Sequence, residues 1–255
     1  MAVAILSADG AVPKDRLAGA VLLGELGLDG RIRAIPGVLP SVAAAAQAGF
    51  SRVVVPVQNA AEAALVPSME VVAAPTLSAL VDWLRDDERP GADPEVRVTE
   101  SGPGGVLPLG AAPDDMHQGR DLADVVGQPV ARRAAEISAA GGHHMLLLGP
   151  PGVGKTLLAE RLPTILPTLD RAAALEVSAI HSVAGTLRPD RPLVTEPPFC
   201  APHHTATKAA IVGGGAGIVR PGAASLAHHG CLFLDEARNA LRIHGRAQSI
   251  RAERR

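Results

Sequence analysis

Aromatic residues are nearly missing from this chain. Tyrosine is absent, tryptophan occurs once, at Trp83, and phenylalanine three times in 255 residues. Hydrophobic residues still make up 47 % of the sequence, so cores are expected, but they must rest on Ala, Val, Leu and Ile. Cysteine is scarce too. Cys200 and Cys231 stand far apart without C-x-x-C spacing, which argues against a disulfide framework and suits a reducing cytoplasm. No apolar run approaches the ~18 residues of a spanning helix, and Met1 to Leu6 carries no basic segment. Neither a membrane span nor a signal peptide is expected. The net charge of −2 gives no global attraction to nucleic acid, so a DNA-binding surface would have to be local. The length allows one large or two modest domains.

Lysine occurs only at Lys14, Lys155 and Lys208. The second of these lies in Gly149-Pro150-Pro151-Gly152-Val153-Gly154-Lys155-Thr156, which fits G-x-x-x-x-G-K-[ST], the phosphate-binding P-loop. Glycines let the backbone curl so that successive N–H groups face phosphate oxygens, in conformations that a Cβ disfavours. Lys155 brings a positive charge to the β- and γ-phosphates, and the Thr156 hydroxyl can ligate Mg²⁺. The context agrees. Met145-Leu146-Leu147-Leu148 reads as a buried strand, and Leu157 to Leu162 reads as the first turns of a helix whose N-terminus attracts phosphate.

A second motif stands about 80 residues downstream. Gly230-Cys231-Leu232-Phe233-Leu234-Asp235-Glu236 is an apolar strand ending in two acids, a Walker B pattern. In such sites the first acid, here Asp235, holds Mg²⁺, and the second, Glu236, orients the water that attacks the γ-phosphate. The two motifs together predict a site for ATP and Mg²⁺, with Lys155 and Glu236 as the groups acting on the γ-phosphate.

Residues 1–86 read as a small α/β unit. Asp29-Gly30 signals a tight turn between short strands. Val38 to Ala48 is expected to be an Ala-rich helix closed by Gly49. Val53-Val54-Val55 and Val71 to Ala73 are expected as strands, and Ala60 to Leu65 and Leu77 to Arg85 as helices. Residues 87–118, rich in Pro, Gly and Asp, read as a linker. Residues 119–236 form a second unit. Val130 to Ala140 is expected to be a helix stopped by Gly141-Gly142, Leu169 to Ile180 a further helix, and Pro197 to Gly217 irregular.

The second unit resembles the AAA+ ATPases of the magnesium-chelatase-like group. Over nearly all of residues 1–236 the chain resembles the ComM (YifB) family. The resemblance is carried by Asp124-Val125-Val126-Gly127-Gln128 and by Gly141-Gly142-His143-His144 leading into the P-loop. Ile180-His181-Ser182-Val183-Ala184-Gly185, Pro198-Phe199-Cys200-Ala201-Pro202-His203-His204-Thr205, Val212-Gly213-Gly214-Gly215 and Ser225-Leu226-Ala227-His228-His229-Gly230 carry it further. It implies an α/β architecture in which a Lon-protease-like, S5-like domain precedes an AAA+ P-loop core. It also implies a cytoplasmic homo-hexamer that uses ATP to drive branch migration of DNA, a helicase-like activity in natural transformation.

The first unit is similar to the Lon-like domain at Leu22 to Arg33 and at Gly37-Val38-Leu39-Pro40. Lon-type peptidases place a catalytic lysine where Pro40 stands here, so the unit is expected to be non-proteolytic. The resemblance further suggests that both the Lon-like domain and the AAA+ core are incomplete. Family members begin before the position of Met1, and residues 237–255 form a divergent basic tail without the family's sensor strand, arginine finger or lid. On that expectation the chain binds nucleotide but turns it over slowly. A magnesium-chelatase-type subunit, which shares the AAA+ core, and a remnant that at most binds nucleotide are the alternatives.

Cys200, His203, His204, His228, His229 and Cys231 raise the question of zinc. Adjacent histidines point opposite ways in a strand, and no C-x₂-C or H-x₃-H pair occurs, so the spacing argues against such a site.

Overall fold

The computed structural model describes residues 1–86, 120–215 and 219–235. The expected linker 87–118, the acid Glu236 and the basic tail 237–255 lie outside the described residues. The chain divides into two compact units. The described part of the first is residues 1–86 with Ser178–Leu193; that of the second is residues 120–177, 194–215 and 219–235.

The first unit contains α1 (Ala2–Ala8), β1 (Ala20–Leu22), β2 (Glu25–Leu26), β3 (Ile32–Arg33), α2 (Val38–Gln47), β4 (Arg52–Pro56), α3 (Ala60–Ala63), β5 (Glu70–Ala74) and α4 (Leu77–Asp86). Strand β4 is central in a parallel sheet of order β1-β4-β5, with Val53 beside Val21 and Val71, and Val54 beside Leu22 and Val72. Strand side chains alternate between faces. Val54 therefore joins Val72, Ala74, Leu80, Trp83 and Leu84 on the α4 side. Val53 and Val55 join Val38, Val42 and Ala45 of α2 on the other. A strand covered on both faces reads as an unbroken apolar run, which is why Val53-Val54-Val55 was legible. Each of these valines contributes about 1.5–3 kcal/mol by leaving water.

The short strands β2 and β3 pair antiparallel around the Asp29-Gly30 turn, where Gly30 takes φ +80. Helix α2 runs as the sequence predicts, with Gly49 at φ +88 just past its end. Pro40 sits in its first turn, where backbone N–H groups have no intrahelical acceptor to lose. Helix α1 has no counterpart in the sequence reading. It is seven residues long and has no side-chain cap.

One acid of this unit is buried. Glu62 is 7 % exposed, and its carboxylate accepts from the Leu39 N–H at 2.9 Å, from Asn59 Nδ2 at 2.9 Å and from the Ser182 hydroxyl. Asn59 also ties down the approach to α2, through Ile35 N–H at 3.1 Å and the Ile35 carbonyl at 3.2 Å. A carboxylate out of water needs such donors.

The second unit contains α5 (Pro129–Gly141), α6 (Lys155–Ala159), the first turns of α7 (Arg171–Ala184), β6 (Phe199–Cys200), α8 (Lys208–Val212), β7 (Gly213–Gly214), β8 (Arg220–Pro221), α9 (Ala223–Leu226) and β9 (Cys231–Leu232). Pro129 opens α5, a position that needs no N–H. Gly142 closes it at φ +59, and His143 N–H returns to the Ser138 carbonyl at 2.9 Å. The segment expected to be irregular, Pro197 to Gly217, holds three short elements. Thr207 caps α8 by accepting from Ala210 N–H at 3.2 Å.

The strand expected at Met145–Leu148 is not formed. Residues 143–150 carry no assigned strand. Alternation is nevertheless present. Met145 and Leu147 pack against the core of Leu122, Val125, Ala135 and Leu158, while Leu146 and Leu148 are 75 % and 84 % exposed. The segment has a strand's two faces without a hydrogen-bonded neighbour among the described residues. Strand structure requires such a partner, and the burial expected for this run holds for one face only. The expected helix after the P-loop is also short: α6 gives way to a 3₁₀ turn at Leu162–Ile165.

Candidate functional site

The eight residues Gly149 to Thr156 form a continuous loop that enters α6. Gly152 takes φ +79 and Gly154 φ +88, left-handed values at which a side chain is strained. A Cβ on Gly152 would meet open space, so that glycine serves conformation alone. A Cβ on Gly154 would press on Gln128 Nε2 at 3.2 Å, so that one serves both conformation and space. Pro150, Pro151, Val153 and Thr156 are exposed, and Lys155 is half-buried.

The Lys155 ammonium folds back over its own loop. Its Nζ donates to the carbonyl oxygens of Gly149 at 3.0 Å and Pro150 at 2.9 Å. The tip of the loop is held from α5. Gln128, the residue before that helix, takes φ +49 and donates its side-chain amide to the Val153 carbonyl at 2.5 Å. Sequence reading placed Gln128 in the resemblance but gave it no task. Its position is set by Pro129, which starts α5, and by Gly127 at φ +76, which turns the chain into it.

Asp235 follows β9. That strand pairs parallel with β6, Phe199 beside Cys231 and Cys200 beside Leu232. The pairing requires glycine at 230, because a Cβ there would collide with the Pro198 carbonyl oxygen. Asp235 is exposed and lines a small cavity with Pro202, His203, His204 and Leu234. Its partner acid Glu236 lies outside the described residues. Among those residues β9 shares a sheet with β6 only, and Met145–Leu148 with no strand.

Cys200 and Cys231 are partly buried beside each other's strands, and burial pushes both thiols up to about 11. His228 and His229 do not behave as strand neighbours. They occupy the turn before β9, and both rings face Glu176 of α7. Their hydrogen bonds, that of His229 foremost, hold the Glu176 carboxyl below its ordinary range. Sequence reading missed Glu176, which lies 52 residues from His228.

This is a mixed α/β chain with a glycine-rich loop of P-loop spacing at Gly149–Thr156 and an acid, Asp235, three residues past the short strand β9. Comparison with known proteins narrows that class. Residues 121–244 match the family model described as magnesium chelatase, subunit ChlI, and residues 1–59 match that of subunit ChlI of Mg-chelatase. An uncharacterized protein of Mycobacterium tuberculosis is 52 % identical over 236 residues, 92 % of this chain and 44 % of that protein. YifB of Salmonella typhimurium is 40 % identical over 92 % of this chain and 43 % of its own length. The competence protein ComM of Haemophilus influenzae is 38 % identical over 92 % of this chain and 44 % of its own length. Lon protease 2 of Bacillus subtilis shares a shorter stretch, 32 % identical over 46 % of this chain. The chain belongs to the magnesium-chelatase-like family that includes YifB and ComM. It spans 43–44 % of the length of these YifB and ComM relatives.

Proposed function

We propose that this chain binds Mg·ATP on the Gly149–Thr156 loop, as the nucleotide-binding part of an AAA+ ATPase that drives branch migration of DNA. The observation that carries the nucleotide reading is Lys155. Its ammonium rests on two carbonyls of its own loop, at 3.0 and 2.9 Å, beside glycines in left-handed conformations. Neutral carbonyls are weak partners for a cation compared with phosphate oxygens, whose bonds to ammonium are charge-assisted on both sides. A nucleotide therefore exchanges the parked lysine for a stronger contact.

The donor set suits Mg²⁺ with a triphosphate: a hydroxyl at Thr156, a carboxylate at Asp235 and the flanking acid Glu236. Thr156 and Asp235 would hold the ion, which when bound neutralises charge on the β- and γ-phosphates. Glu236 would orient water. DNA as partner, a ring of six copies and a cytoplasmic location are carried by the family alone. The domain plan goes with this reading: a non-proteolytic Lon-like, S5-like unit at 1–86, a linker at 87–118, the AAA+ core at 119–236 and a basic tail at 237–255.

Calorimetric titration of ATP with Mg²⁺ tests the site. Lys155→Ala is expected to weaken binding by about 2–3 kcal/mol, the scale of a charge-assisted bond. Equal affinity in both proteins would refute the assignment. A second reading, a subunit of a tetrapyrrole-metallating chelatase, is favoured by the family-model match over residues 121–244. Nucleotide hydrolysis stimulated by branched DNA and indifferent to porphyrin separates the first reading from the second.

A further inference from the structure

We propose that Glu176, His228 and His229 form a binding site for a divalent cation of the zinc type. None of the three belongs to the P-loop or to the Walker B acids. Glu176 projects from α7, and the histidines stand in the turn that joins α9 to β9. That turn is closed by His228 N–H on the Ser225 carbonyl at 3.1 Å and by Gly230 N–H on the Ala227 carbonyl at 2.9 Å.

Two consecutive side chains of an extended strand diverge to opposite faces. Here they converge because His229 takes φ +56. Among the described residues only Gln128 shares this left-handed conformation without being glycine. Side chains strained in this way persist where the surroundings impose them, and they cluster at ligand clamps. The two imidazole rings lie 4.3 Å apart at an interplanar angle of 62°. Both Nε2 atoms aim at one oxygen, Glu176 Oε2, at 3.3 Å from His228 and 3.1 Å from His229.

These separations suit a metal. Zn²⁺ binds imidazole nitrogen and carboxylate oxygen at roughly 2.0–2.1 Å, usually in tetrahedral geometry, which places neighbouring ligand atoms about 3.3–3.4 Å apart. The nitrogen–oxygen separations of 3.3 and 3.1 Å sit close to that edge, and the three ligand atoms lie within 4.8 Å of one another. Two imidazoles and one carboxylate favour Zn²⁺, Co²⁺, Ni²⁺ or Cu²⁺ over Mg²⁺, which prefers an all-oxygen shell. All three side chains are exposed, so a cation reaches them directly and a fourth position stays open to water. A cation bound there would tie α7 to the turn that launches β9.

The test titrates Zn²⁺ alone into the full 255-residue chain by calorimetry, with Co²⁺ absorption as the spectroscopic reading. The proposal expects one equivalent bound with micromolar affinity, the intense visible bands of tetrahedral Co²⁺, and no heat from Mg²⁺ at the same concentrations. Glu176→Gln and His229→Ala should each weaken Zn²⁺ binding at least tenfold, while His203→Ala with His204→Ala leaves it unchanged. Far-UV circular dichroism checks that the variants keep their fold, as substitutions of exposed side chains should. Absence of binding, equal affinity in Glu176→Gln and His229→Ala, or loss of binding only in the His203/His204 variant would each overturn the proposal.

Discussion

The Ser182 hydroxyl donates to the buried Glu62 carboxylate, a contact between residues 120 apart in sequence. The same residue accepts from the Gly37 N–H through its carbonyl at 2.9 Å. Ser182 thus binds both the residue before α2 and the acid of α3. Glu62 also receives the Leu39 N–H and the Asn59 amide. Glu62→Ala would strand three donors in a region without water, and each unsatisfied buried group costs about 1–3 kcal/mol. We expect Glu62→Ala to destabilise the chain by about 3 kcal/mol or more, and Ser182→Ala by about 1 kcal/mol. Urea unfolding of the two variants and the double variant checks this. The double variant should fall well short of the sum, because both changes delete the same bond.

The proposed nucleotide site makes a sharper prediction about the glycines of its loop. At φ +88 a side chain on Gly154 costs about 1–2 kcal/mol of backbone strain, and its Cβ also meets Gln128 Nε2 at 3.2 Å. Gly152 at φ +79 has the strain without the crowding. Gly154→Ala should therefore weaken nucleotide binding more than Gly152→Ala does. Adding Gln128→Ala to Gly154→Ala clears the contact but also deletes the hold on the Val153 carbonyl, so binding should stay below that of the unaltered chain. Fluorescent-nucleotide titration of the four proteins reads this order, and the reverse order for the two glycines would show that crowding against Gln128 does not matter.

The cysteines predict a chemical silence. Burial pushes both thiols from an ordinary 9.0 to about 11. The thiolate is the nucleophile, and the raised pKa leaves far less of it near pH 8. Iodoacetamide should therefore label the folded chain more slowly than the urea-unfolded chain at that pH, by roughly tenfold or more, since the higher nucleophilicity of a more basic thiolate offsets part of its scarcity. The sign for stability follows. The folded state keeps its protons to about pH 11, while unfolded thiols lose theirs around 9. The favourable contribution is intact below pH 9 and is lost as pH rises through 11. Rapid labelling of the native protein at pH 8 would show that the β6–β9 pair opens.

Local patterns were legible where their physical cause is local. The run Val53-Val54-Val55, the Asp29-Gly30 turn and the Gly49 helix stop each depend on a few neighbours, and each stands where the sequence puts it. Thr207 caps α8 inside a segment expected to be irregular. The spacing Gly149 to Thr156 announces a tight glycine turn into a helix, and the left-handed Gly152 and Gly154 stand in that turn; its phosphate chemistry belongs to the proposed function. The contacts of Glu62 and Glu176 were not legible. An acid on a helix normally faces water, and nothing in one dimension reports that Ser182 or His229 reaches it. His229 also defeated a sound rule about strands, because its left-handed backbone turns its ring to the side of His228.

The last prediction concerns the segment that reads as a strand and is not one. Along Met145–Leu148 the inward side chains, Met145 and Leu147, pack on Leu122, Val125, Ala135 and Leu158. The outward ones, Leu146 and Leu148, are 75 % and 84 % exposed. Truncating an inward leucine removes buried methyl groups and leaves a void, at a cost of about 2–5 kcal/mol for a fully buried site. Leu147 is only half-buried, so Leu147→Ala belongs at the low end, about 2 kcal/mol. Leu146→Thr with Leu148→Thr removes no packed surface, and such surface changes usually lie within about 0.5 kcal/mol. Exposed apolar residues on a segment with no strand partner among the described residues also invite association between chains. The double threonine variant should therefore keep its unfolding midpoint while the chain sediments with less self-association. A loss of stability in the double threonine variant as large as in Leu147→Ala would mean that the outward face is covered.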